Sequence, residues 1–307
     1  MVDFKIHFLG TSSAVPTKER GLSCTAISYE NSLAFFDCGE GSQRAINLAG
    51  LGFNKDSTVF ITHMHGDHVV GLLGLLQTMS MNRREKRLEI FGPKGIIDFV
   101  KTNREILKFG MTFDAVVNEI RPGLIYSNLK YKVYAQRSDH VDESFAYVFE
   151  EREKPGKFDT SKASMLGVPE GPLWSTLQHG SKVISPKTGK VVRPEQVLGP
   201  TRMGKKIGIS GDTRPSSKLQ RFFKGCNLLI FDSTYSDTHA ANAVENRHST
   251  SREAAKLAKK AGVKKLVLTH FSARYKNVSS LVKQAREVFP ATIAARDGLI
   301  YDVERES

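Results

Sequence analysis

A mixed α/β fold of layered sheets and helices is predicted by three features of this 307-residue chain. Short apolar runs at 57–62, 129–135, 206–210 and 265–269 are strand-length and end in turn or polar residues. Between them lie stretches with a helical pattern, notably 69–81 and 251–261. Finally, each of the four predicted strands leads, directly or within a few residues, to a histidine or an aspartate. Converging strand ends are where layered α/β folds build their sites.

Taken in order, the strand at 57–62 runs straight into His63, and the helix at 69–81 follows. The strand at 129–135 is followed by a short turn at 136–139 and then His140, while 206–210 leads through Gly211 to Asp212. The helix at 251–261 is opened by a capping box, Thr250-x-x-Glu253, and closed by Gly262. The last strand, 265–269, ends at His270. No internal repeat or low-complexity tract interrupts this order, and one domain over 1–307 is expected.

With 40% apolar and 25% charged residues the composition is that of a globular protein. The longest apolar stretch, 69–76, is broken by Gly71 and Gly74, and the chain opens with an alternating Phe4-Lys5-Ile6-His7-Phe8 rather than a charged-then-apolar leader. A soluble, cytoplasmic protein with no membrane partner is therefore expected. Cys24, Cys38 and Cys226 are odd in number and far apart, so they predict buried small hydrophobes rather than disulfides or a thiolate zinc site.

Basic residues outnumber acidic ones by 45 to 32, a formal +13, which favours a polyanionic partner. Many basic enzymes never meet nucleic acid, so the location of the excess decides more than its size. Residues 152–206 hold eleven Lys/Arg against four acids, a net +7, together with six of the eleven prolines and the only tryptophan, Trp174. Such a composition discourages regular secondary structure and reads as an inserted, flexible, basic binding segment.

The decisive motif is His63-Met-His65-Gly-Asp67-His68, four potential metal ligands within six residues at a predicted strand end. A loop there can aim closely spaced side chains at one point, whereas a helix would scatter several of them around its circumference. Imidazole and carboxylate suit zinc and also manganese or iron. Adding His140, Asp212 and His270 gives seven ligands, too many for one tetrahedral ion but suited to two that share a carboxylate, with Asp212 the natural bridge. Two ions roughly 3.5 to 4 Å apart can clamp the attacking and leaving oxygens of an in-line phosphoryl displacement, so phosphodiester hydrolysis fits best.

This ligand set resembles the metallo-β-lactamase superfamily in its subgroup with two full metal sites, which implies an αββα sandwich. Further stretches resemble tRNase Z (ribonuclease Z): Phe8-Leu-Gly-Thr-Ser-Ser-Ala-Val-Pro16, Phe36-Asp-Cys-Gly-Glu-Gly41, Ser210-Gly-Asp-Thr-Arg214, His270-Phe-Ser-Ala-Arg-Tyr275, and the basic segment with Gly171-Pro172. The resemblance implies a zinc-dependent, homodimeric endoribonuclease with two Zn2+ per subunit. It would cut precursor tRNA after the discriminator nucleotide, leaving a 3′-hydroxyl and a trailer with a 5′-phosphate, with 152–206 as a protruding tRNA-binding arm. It also implies that one ion is held by His63, His65, His140 and Asp212 and the other by Asp67, His68, Asp212 and His270. Asp67 would accept the water proton and His248 would assist at the leaving oxygen. Ser272, Arg274, Thr213 and Arg214 would touch phosphate.

Two departures from the family pattern stand out. In Pro16-Thr-Lys18-Glu-Arg20-Gly21, glycine replaces asparagine, which touches the treatment of mature CCA ends. In Phe231-Asp232-Ser-Thr234, Asp232 stands where many relatives carry glutamate, and it is expected to orient His248. The competing readings keep the metals and change the substrate to a small phosphodiester or ester, or keep the RNA and leave the site idle. An electron-transfer diiron role is disfavoured because such members of the superfamily carry glutamate where His65 stands.

Overall fold

The computed structural model describes residues 4–303. Two seven-stranded sheets form its centre. In spatial order the first contains Ile300–Asp302, Phe4–Gly10, Cys24–Tyr29, Ser32–Phe36, Asp56–Phe60, Leu88–Gly92 and Ala115–Glu119. The second contains Thr292–Ala294, Lys265–Thr269, Leu228–Asp232, Lys206–Ile209, Phe145–Glu151, Tyr131–Arg137 and Gly123–Ser127. Three of the four strands that lead to predicted ligands run parallel to a neighbour, Asp56–Phe60 to Ser32–Phe36, and Lys206–Ile209 and Lys265–Thr269 to Leu228–Asp232, whereas Tyr131–Arg137, which leads to His140, is antiparallel to Gly123–Ser127. The carboxyl ends of the parallel strands therefore open on the same side within each sheet.

The side chains sort into three layers of core, which is how the αββα sandwich is held. Phe8, Phe36, Phe60, Tyr147, Phe149 and Val267 pack between the sheets. Leu72, Leu75, Leu76 and Met79 bury the helix Gly71–Met81 against the outer face of the first sheet. Ala254, Leu257, Ala258 and Leu281 do the same for the helices over the second. Burial of such side chains contributes about 1.5–3 kcal/mol each. Cys24, Cys38 and Cys226 lie within these layers, at most 2% exposed.

The helix Ser251–Ala261 begins and ends as its sequence prescribes. Thr250 accepts from the Glu253 amide, Glu253 reaches back to the Thr250 amide, and Gly262 closes the helix at φ 64°. The helix expected at 69–81 is divided. A single turn, Gly66–Val69, precedes Gly71–Met81, so Asp67 and His68 sit on helical backbone rather than in an open loop. Consecutive residues on a helix point roughly 100° apart, yet Asp67 Oδ2 and His68 Nε2 lie 3.4 Å from each other, so the turn does not keep the two side chains from converging.

Residues 150–205 form a compact unit of their own. Contrary to the expectation from their prolines and glycines, they carry the helices Thr160–Met165 and Pro172–Gln178, a small hairpin of Val183–Ile184 with Val191–Val192, and a core of Ala163, Val168, Leu177, Val183, Val192 and Val197. Local punctuation explains it: Asp159 caps the first helix through the Lys162 amide, and Pro172 starts the second at a position where its missing N–H costs nothing. Trp174 anchors the unit by donating its indole N–H to the Val168 carbonyl. Among the described residues no helix is long and apolar enough to cross a membrane.

Candidate metal centre

All seven predicted ligands converge. His63, His65 and His140 form one group whose ligand atoms lie within 4.8 Å of one another, and Asp67, His68, Asp212 and His270 form a second. Asp212 faces both: its carboxylate oxygens lie 3.7 Å from His63 Nε2, 3.9 Å from His140 Nε2, and 3.3 Å from the Nε2 atoms of His68 and His270. Asp67 Oδ2 stands 3.4 Å from both of the latter nitrogens and accepts the Ala14 amide at 2.8 Å.

The donor set fits bound cations. His68 Nε2 lies 3.3 Å from His270 Nε2, and His140 Nε2 lies 3.2 Å from His65 Nδ1. His63 Nε2 is buried without a hydrogen-bond partner among the described residues. The outer ring nitrogens of four of the five histidines are engaged: His68 Nδ1 with Asp37 Oδ2 at 2.8 Å, His270 Nδ1 with Thr234 Oγ1 at 2.9 Å, His140 Nδ1 with the Arg247 carbonyl at 3.0 Å, and His63 Nδ1 with Thr62 Oγ1 at 3.0 Å. Protons on those outer nitrogens leave the inner ones as lone pairs set against lone pairs. A cation between them resolves the clash, and the outer partners fix tautomer and ring orientation as in metalloenzymes generally.

Electrostatics divide the ligands: burial opposes charge on His68, but the facing Asp212 and Asp37 carboxylates outweigh it and raise that imidazole well above its ordinary pKa, with negative charge that a bound cation would neutralise instead. Burial holds the His63 and His140 imidazoles below their ordinary pKa, which keeps them neutral and available as ligands. Burial opposes ionisation of Asp212, yet the facing His270 and His68 hold its carboxyl well below the usual range. His248 is buried too, but the Asp232 carboxylate, 3.0 Å from its Nδ1, overcomes that and raises it to about 9. The pairing of Asp232 with His248 expected from the sequence is thus present. Asp232 also accepts from the amides of Thr213, Thr234 and Ser249 and from the Thr234 hydroxyl. Its oxygens are saturated, so the further group of Asp212, Asp232, His248 and His270 that proximity alone suggests is a poor cation cage.

Strain marks the same place. Ala14, Asp37, Arg247 and His270 all have positive φ, between 52° and 61°. Each turns a site group inward, and non-glycine residues hold such a conformation at about 1–3 kcal/mol each only where the surroundings dictate it. Gly39 has a different reason: a Cβ there would stand 2.3 Å from the Asp67 carbonyl, so only glycine lets the turn bearing Asp67 and His68 pack this closely.

Asp37 is the functional residue that sequence reasoning did not single out. It is buried, accepts from the Thr62 amide and hydroxyl, and steers His68. The available signal was its place immediately after the strand Ser32–Phe36, the same position the other ligands occupy. The four residues that the resemblance implies as phosphate contacts stand in different surroundings. Arg274 is exposed and Ser272 partly so, with Arg274 Nε donating to Ser272 Oγ at 3.1 Å. Thr213 is fully buried and Arg214 is paired with Glu253 while donating to the His248 carbonyl, so both brace the site from behind. In the loop at 16–21, Arg20 is likewise consumed by Thr11, the Ala295 carbonyl and the Phe271 ring, and Gly21 donates to Asp297. Lys18 remains exposed, beside a cavity of about 660 Å³.

Two packed sheets between helical layers, with histidines and aspartates gathered at the strand ends, define a protein of the metallo-β-lactamase fold. The metallo-β-lactamase fold protein YhfI from Bacillus subtilis superimposes with a TM-score of 0.70 over 98% of this chain and 100% of that one at 16% identity. A family model described as anti-Pycsar protein Apyc1 matches residues 4–120. Ribonuclease Z of Nitrosopumilus maritimus is 46% identical over 98% of this chain and 100% of its own length. The short form of human tRNase Z is 27% identical, with a TM-score of 0.71 over 97% of this chain and 99% of that one. The chain belongs to the ribonuclease Z family.

Proposed function

We propose that this protein is a zinc-dependent endoribonuclease that removes the 3′ trailer from precursor tRNA, cutting after the discriminator nucleotide to leave a 3′-hydroxyl on the tRNA and a 5′-phosphate on the trailer. Membership of the ribonuclease Z family makes it a metal-dependent endoribonuclease, a phosphodiester hydrolase. The finer reading is supported above all by Asp212, one carboxylate facing two ligand sets at once.

His63, His65, His140 and Asp212 would hold one zinc ion, and Asp67, His68, Asp212 and His270 the other. A bound pair of zinc ions supplies an activated water at neutral pH and neutralises charge on the phosphoryl oxygens. Asp67, fixed by the Ala14 amide, accepts the proton of the attacking water. His248 has Nδ1 tied to Asp232, which leaves Nε2 to protonate the departing 3′ oxygen. Arg274 and Ser272 contact the phosphate. Residues 152–206 bind the body of the tRNA through its phosphates, contacts that position without reading bases. The protein acts as a homodimer in the cytoplasm.

Incubation with a trailer-bearing precursor tRNA tests this reading. One cut after the discriminator is expected, lost with chelator and restored by zinc; cleavage at scattered positions, or cleavage indifferent to chelator, contradicts it. For the basic segment, Lys157, Lys162 and Lys187 are the residues to neutralise, because their side chains are exposed whereas Lys154 is half-buried in an ion pair with Glu151. The triple change is expected to weaken tRNA binding and to flatten its salt dependence by roughly one logarithmic unit per lost phosphate contact, with little effect on a chromogenic diester. Equal losses on both substrates would show that the segment is not an RNA-binding device.

A further inference from the structure

We propose that Tyr235 is a positioning residue that holds the Arg274 guanidinium ready for the RNA phosphate, an inference that rests on the nuclease reading above. Arg274 is exposed, and among the described residues no carboxylate forms an ion pair with it, unlike Arg214 with Glu253 or Arg252 with Asp237 and Glu287. Its charge is therefore uncommitted. The guanidinium carbon lies 5.0 Å from the centroid of the Tyr235 ring, and Nε donates to Ser272 Oγ. An arginine laid on an aromatic face is restrained by cation–π attraction while its N–H edge stays open, the state that binds an oxyanion with little further ordering.

The ring can serve as a platform because it is fixed at both ends. Tyr235 is 7% exposed; its amide donates to the Ser249 carbonyl at 3.2 Å, its carbonyl accepts the Ser251 amide at 3.0 Å, and its hydroxyl accepts from Asn246 Nδ2 at 3.1 Å. The same ring meets the His248 imidazole edge-on, with centroids 6.1 Å apart. It also follows Thr234, whose hydroxyl steers His270. A rigid side chain thus stands between the candidate proton donor and an arginine without a carboxylate partner among the described residues, and ties the anion clamp to the segment that orients His270.

A double-mutant cycle tests this: Tyr235→Leu, Tyr235→Phe, Arg274→Ala and Tyr235→Leu with Arg274→Ala, each assayed for precursor-tRNA cleavage and, with chelator present, for Kd of a single-stranded RNA oligonucleotide. Thermal melting separates misfolding from lost positioning. Tyr235→Leu is expected to lower kcat/KM by about three- to thirtyfold, mainly through KM, and to weaken oligonucleotide binding similarly. Tyr235→Phe, which keeps the ring, retains at least about half of the wild-type value, and Tyr235→Leu adds nothing once Arg274 is alanine. Additive losses in the double variant, no loss from Arg274→Ala, or Tyr235→Phe as impaired as Tyr235→Leu would each overturn the proposal. Failure of the wild type to cut precursor tRNA would count against the nuclease reading alone, since the binding cycle still decides the role of Tyr235.

Discussion

Asp212→Ala is expected to reduce trailer removal by at least about a thousandfold, the equivalent of roughly 4 kcal/mol of transition-state stabilisation, and to strip the protein of bound metal. Its carboxylate is buried, ionised by the imidazoles around it, and within 4 Å of four histidine nitrogens drawn from both ligand sets. Without it the two sets keep their imidazoles but lose the carboxylate that faces both, and two cations held close together there would repel with no anion between them. Asp212→Asn preserves the shape and removes the charge, so it should behave nearly as badly. Metal analysis of the purified variants alongside single-turnover cleavage gives the answer. Retention of two metal equivalents per chain by Asp212→Ala would remove Asp212 from the bridging role.

The histidines and aspartates that converge here were legible in the sequence because they cluster where strand patterns stop. The motif from His63 to His68 adds density: four ligand types in six residues leave little room for coincidence. His140, Asp212 and His270 could be added only because strand endings form a spatial class, not because of any spacing between them. The groups that steer them are set by contacts distant in sequence, even where, as at Asp37, a strand end marks the position. Asp37 is 31 residues from the His68 it orients, Glu253 is 39 from the Arg214 it neutralises, and the Arg247 carbonyl is 107 from His140. A side chain that acts through a hydrogen bond or an ion pair leaves no periodicity, so the pairing of Arg214 with Glu253 could not be read from the sequence around either residue.

The basic segment shows the opposite error. Its composition was averaged over 55 positions, and the average hid local starts and stops: Asp159 before Thr160–Met165, and Gly171-Pro172 opening Pro172–Gln178. Six buried apolar side chains are enough to close a small core around these elements. Proline-rich composition discourages long helices and central strands, not short helices that begin at a proline.

His248→Ala is expected to slow precursor-tRNA cleavage by about 10²- to 10⁴-fold while slowing cleavage of bis(p-nitrophenyl) phosphate by less than about tenfold. The reason lies in the leaving groups. A ribose 3′ oxygen departs as a strongly basic alkoxide and needs a proton in the transition state, whereas a nitrophenolate is stable without one. His248 is suited to supply that proton because Asp232, itself saturated with four other hydrogen bonds, holds Nδ1 and keeps the ring cationic near neutrality. Asp232→Asn retains most of those bonds but withdraws the charge that favours the imidazolium, so it should reproduce part of the His248→Ala loss, again on RNA far more than on the aryl diester. A residue that merely shaped the site would lower both activities together, and equal losses on the two substrates would assign His248 to structure rather than to proton transfer.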